Sequence, residues 1–270
     1  MSEIQRSVMM VGLPESGKST FLGALYYLLR NARDERLALR EEPSERQYLQ
    51  ELEDKWLRYK PFERSQHPGA KLIELALGGS ELGEFSLAIP DISGETYSHL
   101  WEDGVWSESV GDLARDNEGL IVFLHPETLK KPELIDVKKE KKGEGDWIPW
   151  SPELSPTQAV LCDLLETIEE KRQASLPRIA VVISAWDAVV ELGLEPERWL
   201  ELEVPLLWQM LHAQADARQF KCFGISAQGG DVADEKTRLK LAQDKDPLER
   251  IINGPGAHGL LDPLLWLLGS

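Results

Sequence analysis

Basic residues are scarce in this sequence relative to acidic ones. Of its 270 residues, 30 are lysine or arginine and 47 are aspartate or glutamate, which gives a formal net charge of −17. A nucleic-acid backbone attracts a basic surface and repels an acidic one, so this composition argues against a nucleic-acid binder. We expect the partner to be a small molecule or another protein.

Cysteines and long apolar runs are also rare. The only two cysteines, Cys162 and Cys222, fall in segments typical of a helix and a strand, which favours buried thiols over a disulfide or a zinc site. No stretch reaches the roughly 18 apolar residues that a membrane span needs, and the first residues lack the small-residue cleavage site of a secretion signal. We therefore expect a cytoplasmic protein without a membrane span.

Apolar runs of strand length alternate with segments of helical periodicity. RSVMMVG (6–12) is typical of a buried strand, and STFLGALYYLLR (19–30) has apolar residues at helical spacing. The segments 71–79 and 83–91 read as an antiparallel hairpin, and further apolar runs occupy 118–126, 177–187 and 220–228. This pattern predicts a three-layer α/β/α fold, with a mostly parallel sheet of about six strands that includes one antiparallel hairpin strand.

No linker divides the chain, so we expect a single domain over 1–270. A helix is predicted in SERQYLQELEDKWLRY, with Ser44 as its cap. The segment at about 126–156 is a charged insertion rich in proline and lysine, either a solvated surface segment or a basic docking patch. An apolar helix at about 258–268 either closes the core or binds a partner.

The clearest chemical motif lies between the first strand and the first helix. VGLPESGKST matches G-x-x-x-x-G-K-[ST], a loop that binds nucleotide phosphates. In such a loop backbone N–H groups surround the β-phosphate, Lys18 neutralises the β and γ oxygens, and the Ser19 hydroxyl ligates Mg²⁺. The motif predicts nucleotide contacts from Gly12, Leu13, Pro14, Glu15, Ser16, Gly17, Lys18, Ser19 and Thr20.

Three shorter motifs follow the phosphate loop in a set order: PDISGE, SAWD after an apolar strand, and FGISAQ after the last strand. With all four in sequence, the chain resembles the Ras-like GTPases of the translation-factor superclass over most of residues 7–228. More narrowly, GLPESGKSTFLGAL, a tryptophan-bearing helix before FERS, and PDISGE resemble the bacterial double-GTPase proteins, which are predicted components of prokaryotic conflict and defence systems thought to act as paired GTPases.

The resemblance implies roles for residues in each motif. Asp91 would hold Mg²⁺ through water, and the Gly94 N–H would sense the γ-phosphate. Asp187 would accept hydrogen bonds from guanine, and the loop of Ser226 and Ala227 would meet the guanine O6. A plain turn at Asp91 and a helix cap at Asp187 are the alternatives from the residues alone.

Several positions depart from the family pattern. Ser184 and Ala185 replace the usual Asn and Lys before Asp187, which leaves the choice between guanine and adenine open. No threonine occurs from Asn31 to Pro90, so Ser65 is the candidate metal ligand of the first switch, and Arg64 is a candidate internal arginine finger. Both are alternatively ordinary loop residues.

Glu95 stands where Ras-like proteins carry the glutamine that orients the attacking water. Its carboxylate is suited to orient or deprotonate that water, but its charge is unfavourable beside the γ-phosphate. The sequence thus predicts a Mg²⁺-dependent switch that binds GTP and GDP, hydrolyses GTP slowly, and works with a protein regulator or a paired GTPase. The alternatives are a hydrolysis-deficient nucleotide-binding scaffold and an ATP-dependent phosphotransferase.

Overall fold

The computed structural model describes residues 5–60, 62, 70–106, 108–115, 117–132, 151–174, 178–213, 219–243, 246–255 and 259–269. The strands in these ranges are β1 (Gln5–Val11), β2 (Ala38–Leu39), β3 (Ala70–Gly79), β4 (Gly83–Ile92), β5 (Gly119–Leu124), β6 (Arg178–Ser184), β7 (Gln219–Ser226) and β8 (Ile252–Asn253). The helices are α1 (Lys18–Arg30), α2 (Arg46–Leu57), α3 (Gly94–Asp103), α4 (Glu108–Arg115), α5 (Thr157–Arg172), α6 (Pro196–Glu203), α7 (Pro205–Ala213), α8 (Glu235–Leu241) and α9 (Asp262–Leu268).

All described strands belong to one sheet, in the order β2-β3-β4-β1-β5-β6-β7-β8. The central strands from β4 to β7 are parallel, and β3 pairs with β4 as an antiparallel hairpin. The predicted α/β class with its hairpin strand is confirmed. The sheet also has two edge strands that we did not predict, β2 and β8, because two residues are too short to show a strand period.

Both faces of the sheet are covered by helices. Along β1, Val8 and Met10 pack into one apolar cluster, whereas Met9 and Val11 pack into the other. The first cluster includes buried side chains of α1, α2 and α9, and the second includes side chains of α3 to α7. Burial on both faces explains why the central strands read as continuous apolar runs.

The helix starts agree only partly with the sequence. Ser93 caps α3, since its side chain accepts the N–H of Thr96 at 3.1 Å. The predicted cap of α2 is wrong: α2 begins at Arg46, its cap position is Glu45, and the Ser44 hydroxyl hydrogen-bonds to the Glu45 carboxylate instead. The acidic neighbour binds the serine hydroxyl in preference to the helix N-terminus.

The remaining sequence predictions concern single segments. Cys162 and Cys222 are free thiols, Cys222 buried and Cys162 half-buried. Within the described residues, no helix is both long and apolar enough to cross a bilayer. Of the segment 126–156, residues 133–150 lie outside the described residues, and each remaining end carries a short 3₁₀ turn.

Candidate functional site

The four sequence motifs meet at one edge of the sheet. Strand β1 has β4 on one side and β5 on the other, so it is the point where the strand order reverses, and ligands of open parallel sheets bind at that point beyond the carboxyl ends of the strands. A cavity of about 670 Å³ lies there. Its lining includes Pro14, Glu15, Ser16, Gly17, Lys18, Ser19, Thr20, Asp91, Gly94, Glu95, Asp187, Ser226 and Ala227.

The phosphate loop is shaped by left-handed backbone. Glu15 has φ 62° and Gly17 has φ 91°, and a Cβ on Gly17 would lie 2.8 Å from the Ser184 side chain. Glycine is therefore required at 17 both by conformation and by space. Helix α1 begins at the next residue without a side-chain cap, which leaves its first N–H groups available to an anion in the cavity.

Lys18 is the buried cation of the site. Its Nζ donates to the carbonyl oxygens of Gly12 at 2.5 Å and Leu13 at 3.4 Å, and to Ser16 Oγ at 3.3 Å. Burial lowers the pKa of Lys18 to about 8, although the carboxylates of Asp91 and Glu95 act to raise it. The structure thus brings both predicted carboxylates within electrostatic reach of the lysine.

Asp91 lies near the end of β4, and Gly94 opens α3 directly against the phosphate loop. A Cβ added to Gly94 would lie 2.4 Å from the backbone nitrogen of Pro14 and 2.6 Å from the carbonyl carbon of Leu13. Only glycine allows this approach of two backbones. Asp91 accepts a hydrogen bond of 2.5 Å at Oδ2 from the Tyr48 hydroxyl.

Asp187 reaches the cavity from the end of β6. Ala185 adopts a left-handed φ of 45°, and a single 3₁₀ turn, Trp186–Ala188, follows it. The hydroxyl of Ser184 hydrogen-bonds to the carbonyl oxygens of Ser16 at 2.8 Å and Leu124 at 3.1 Å. The position that departs from the family pattern therefore ties β6 to the phosphate loop and to β5.

The FGISAQ segment ends β7, the strand next to β6, and lines the cavity with Ser226 and Ala227. Ser226 Oγ accepts the N–H of Gly229 at 3.0 Å, which forms the turn after β7. The carbonyl oxygen of Ala227 accepts the indole N–H of Trp56 at 2.8 Å. Next to this loop, Gln228 lines the cavity, and its Nε2 is buried without a hydrogen-bond partner.

His125 also lines the cavity, directly after β5. Its Nδ1 accepts the N–H of Glu127 at 3.3 Å. Burial lowers the pKa of His125 despite the acidic side chains of Glu127 and Asp187 nearby. The cavity therefore contains a neutral imidazole at neutral pH.

Sequence reasoning missed the contribution of α2 and β3. Tyr48, Trp56 and Lys71 contact motif residues or line the cavity, but the helical period of α2 does not reveal which face meets the site. Arg64 and Ser65, the predicted arginine finger and first-switch ligand, lie outside the described residues. Their roles stay predictions.

The donor set fits a magnesium-bound nucleotide. Among the described residues, no group of three or more His, Cys, Asp or Glu side chains is arranged to hold a metal ion. Mg²⁺ rarely needs such a cage, because one or two protein oxygens, phosphate oxygens and water complete its shell. Ser19 and Asp91 line the same cavity and supply a hydroxyl and a carboxylate.

Comparisons with known proteins give one family. A family model described as Double-GTPase 1 matches residues 9–267. No curated protein matches the chain.

Two solved structures are among those similar to this chain. Methanosarcina barkeri Roco2 RocCORdC bound to GDP is 14% identical with a TM-score of 0.35, over 87% of this chain and 48% of that one. The S. cerevisiae Ski7 GTPase-like domain bound to GTP is 15% identical with a TM-score of 0.42, over 84% of this chain and 44% of that one. The chain thus spans less than half the length of each.

Proposed function

Because the chain belongs to the Double-GTPase 1 family, we propose that it binds GTP and GDP with Mg²⁺ in the cavity at the carboxyl edge of the sheet and hydrolyses GTP slowly as a molecular switch. One observation carries the proposal. Residues of the phosphate loop, PDISGE, SAWD and FGISAQ line a single cavity of about 670 Å³, which is within the usual size of small-molecule sites.

At the phosphate end, each side chain has a distinct task. The buried ammonium of Lys18 compensates the charge of the β- and γ-phosphates, and the open N-terminus of α1 donates N–H groups to them. Ser19 and Asp91 would hold Mg²⁺, which when bound neutralises phosphate charge. Gly94 lies against the phosphate loop, and its N–H would sense the γ-phosphate.

Hydrolysis depends on Glu95. Its carboxylate lies near Lys18 and can orient a water, but it also adds negative charge beside the phosphates. We therefore propose slow turnover by the chain alone. A protein regulator or a paired GTPase, within a bacterial conflict or defence system, would accelerate it.

At the base end, Asp187 accepts from the guanine N1–H and 2-amino group, which adenine does not offer. Gln228 lines the same cavity. Ala185 cannot pack a long side chain over the base, so recognition rests on fewer groups than in the family pattern.

Equilibrium titration with GTP, GDP and ATP in Mg²⁺ tests this function. We expect guanine nucleotides to bind, and Lys18→Ala to weaken binding by about 10–100-fold, because a charge-assisted contact is lost. The exposed Lys236→Ala is the matched control and should bind as the parent does. Equal weakening by both variants, or no nucleotide binding by the parent, contradicts the proposal.

A second set of experiments tests recognition of the base and hydrolysis of GTP. Asp187→Asn should shift preference from guanine toward xanthine nucleotides, because the amide now offers a donor where the carboxylate only accepts. Phosphate release from bound GTP separates a slow hydrolase from a hydrolysis-deficient scaffold. Tighter binding of ATP than GTP would instead favour the phosphotransferase.

A further inference from the structure

The metal carboxylate is anchored by a residue that no motif contains. Tyr48 lies on α2, between the phosphate-loop helix and the hairpin, and its hydroxyl donates to Asp91 Oδ2 at 2.5 Å. Tyr48 is half-buried and lines the cavity together with Ser19 and Asp91. The contact joins residues 43 positions apart, so it is formed by tertiary packing and not by local chain geometry.

The tyrosine itself is held from the hairpin. Lys71 stands directly opposite Asp91 in the β3–β4 register, and its Nζ lies 3.8 Å from the centroid of the Tyr48 ring. A cation over the face of an aromatic ring is an attractive contact. Asp91, Tyr48 and Lys71 therefore form a three-residue latch between β3–β4 and α2.

We propose that Tyr48 is the positioning residue of the Mg²⁺ site: its hydroxyl fixes the Asp91 carboxylate and thereby couples metal binding to the docking of α2. This inference rests on the proposed function. The hydrogen bond holds Oδ2 and leaves Oδ1 as the oxygen available to the metal or to its bound water. An oriented carboxylate loses less rotamer freedom when a metal binds. Mutation of a residue that hydrogen-bonds to a metal ligand typically lowers the metal affinity by about 10–100-fold.

Electrostatics keeps the tyrosine a donor. Burial, and then the charge of Asp91, raise the pKa of Tyr48 above its usual value, so the hydroxyl remains protonated at neutral pH. The charged groups that face it are Lys71, Glu51 and Asp91. A neutral donor adds no charge to the site.

Tyr48→Phe tests the latch, because it removes the hydroxyl and keeps the ring under Lys71. The readout is the Mg²⁺ dependence of binding of a fluorescent GDP derivative, titrated from excess EDTA to saturating Mg²⁺. We expect the variant to need about tenfold more Mg²⁺ for half-maximal enhancement of binding. Its GDP affinity in EDTA should equal that of the parent. A merely structural defect would instead lower the GDP affinity both in EDTA and in Mg²⁺.

Tyr59→Phe is the matched control. It also deletes a tyrosine hydroxyl that donates a hydrogen bond, at 2.8 Å to the carbonyl oxygen of Leu241, and we expect no change in its Mg²⁺ requirement. Lys71→Met is the second variant, should Tyr48→Phe fail to fold. It leaves the hydroxyl but removes the cation from the ring, and should raise the Mg²⁺ requirement several-fold.

The outcomes distinguish failure of the positioning role of Tyr48 from failure of the proposed function. An unchanged Mg²⁺ requirement in Tyr48→Phe, or in Lys71→Met where that variant carries the test, overturns the positioning role. A lower requirement overturns it too, since the hydroxyl would then compete with the metal. If the parent binds no guanine nucleotide at any Mg²⁺ concentration, the proposed function itself is overturned, and the inference with it.

Discussion

Ser184 stands at a position that departs from the family pattern, and its side chain contacts two neighbouring elements. Its hydroxyl is buried and hydrogen-bonds to the carbonyl oxygens of Ser16 and Leu124, so β6, β5 and the phosphate loop share one polar contact. A hydroxyl has one proton, and the shorter distance, 2.8 Å to Ser16, marks the principal acceptor. The contact joins the end of β6 to the phosphate loop at Ser16.

Ser184→Ala should destabilise the nucleotide-free protein by about 1–3 kcal/mol, because the carbonyl oxygen of Ser16 loses its donor. Nucleotide affinity should fall as well, since the loop at Ser16 is released. Chemical denaturation and GDP titration measure the two effects. Ser44→Ala removes an exposed hydroxyl that contacts only Glu45 among the hydrogen bonds described, and should leave both quantities unchanged. Equal stability of the two variants would contradict the role of Ser184.

At the scale of elements, α2 connects the two ends of the site. Tyr48 near its start donates to Asp91 at the proposed metal end, and Trp56 near its end donates to the Ala227 carbonyl oxygen at the proposed base end. The helix is held in place by Arg250, whose guanidinium lies 4.0 Å from the Trp56 ring centroid and donates to the Trp56 carbonyl oxygen. The buried Glu53 pairs with Arg30 of α1 at 2.7 Å.

Trp56→Phe isolates the base end of this helix. The change deletes the indole N–H and keeps a ring beside Arg250, so we expect about a 2–12-fold loss of GDP affinity from one hydrogen bond. The Mg²⁺ requirement should stay that of the parent, unlike in Tyr48→Phe. Trp199→Phe, at a buried position on the other face of the sheet, controls for loss of core volume. A raised Mg²⁺ requirement in Trp56→Phe would contradict the division of the helix into two ends.

The elements also show what the sequence can and cannot reveal. The strand β1, the glycine loop and α1 were predictable because an apolar run, fixed glycine spacing and a helical period are local signals. The docking of Tyr48 on Asp91 was not, because the rotation of a helix about its axis is set by packing with distant residues. For the same reason the sequence did not reveal the hydrogen bond from Trp56 to Ala227.

For the whole molecule, the charge of −17 is the dominant feature. The site shares this excess: among the described residues, the cavity lining has seven carboxylates and three lysines. They are Glu15, Glu51, Asp91, Glu95, Glu127, Asp187 and Asp231, against Lys18, Lys60 and Lys71. The proposed ligand, a nucleotide, is itself an anion, so we expect the protein to repel it at long range and to bind it through short-range contacts and Mg²⁺.

This opposition predicts an unusual salt dependence of nucleotide association. The Debye length shortens to about 10 Å at 0.1 M salt, so added NaCl should screen the repulsion and raise the association rate constant of GDP several-fold at fixed Mg²⁺. Stopped-flow mixing with a fluorescent GDP derivative measures this rate. Guanosine, which carries no phosphate charge, is the matched ligand and should show no such rise in displacement experiments. A rate constant for GDP that falls with salt would mean that the field of Lys18 and its neighbouring lysines outweighs the charge of the whole protein.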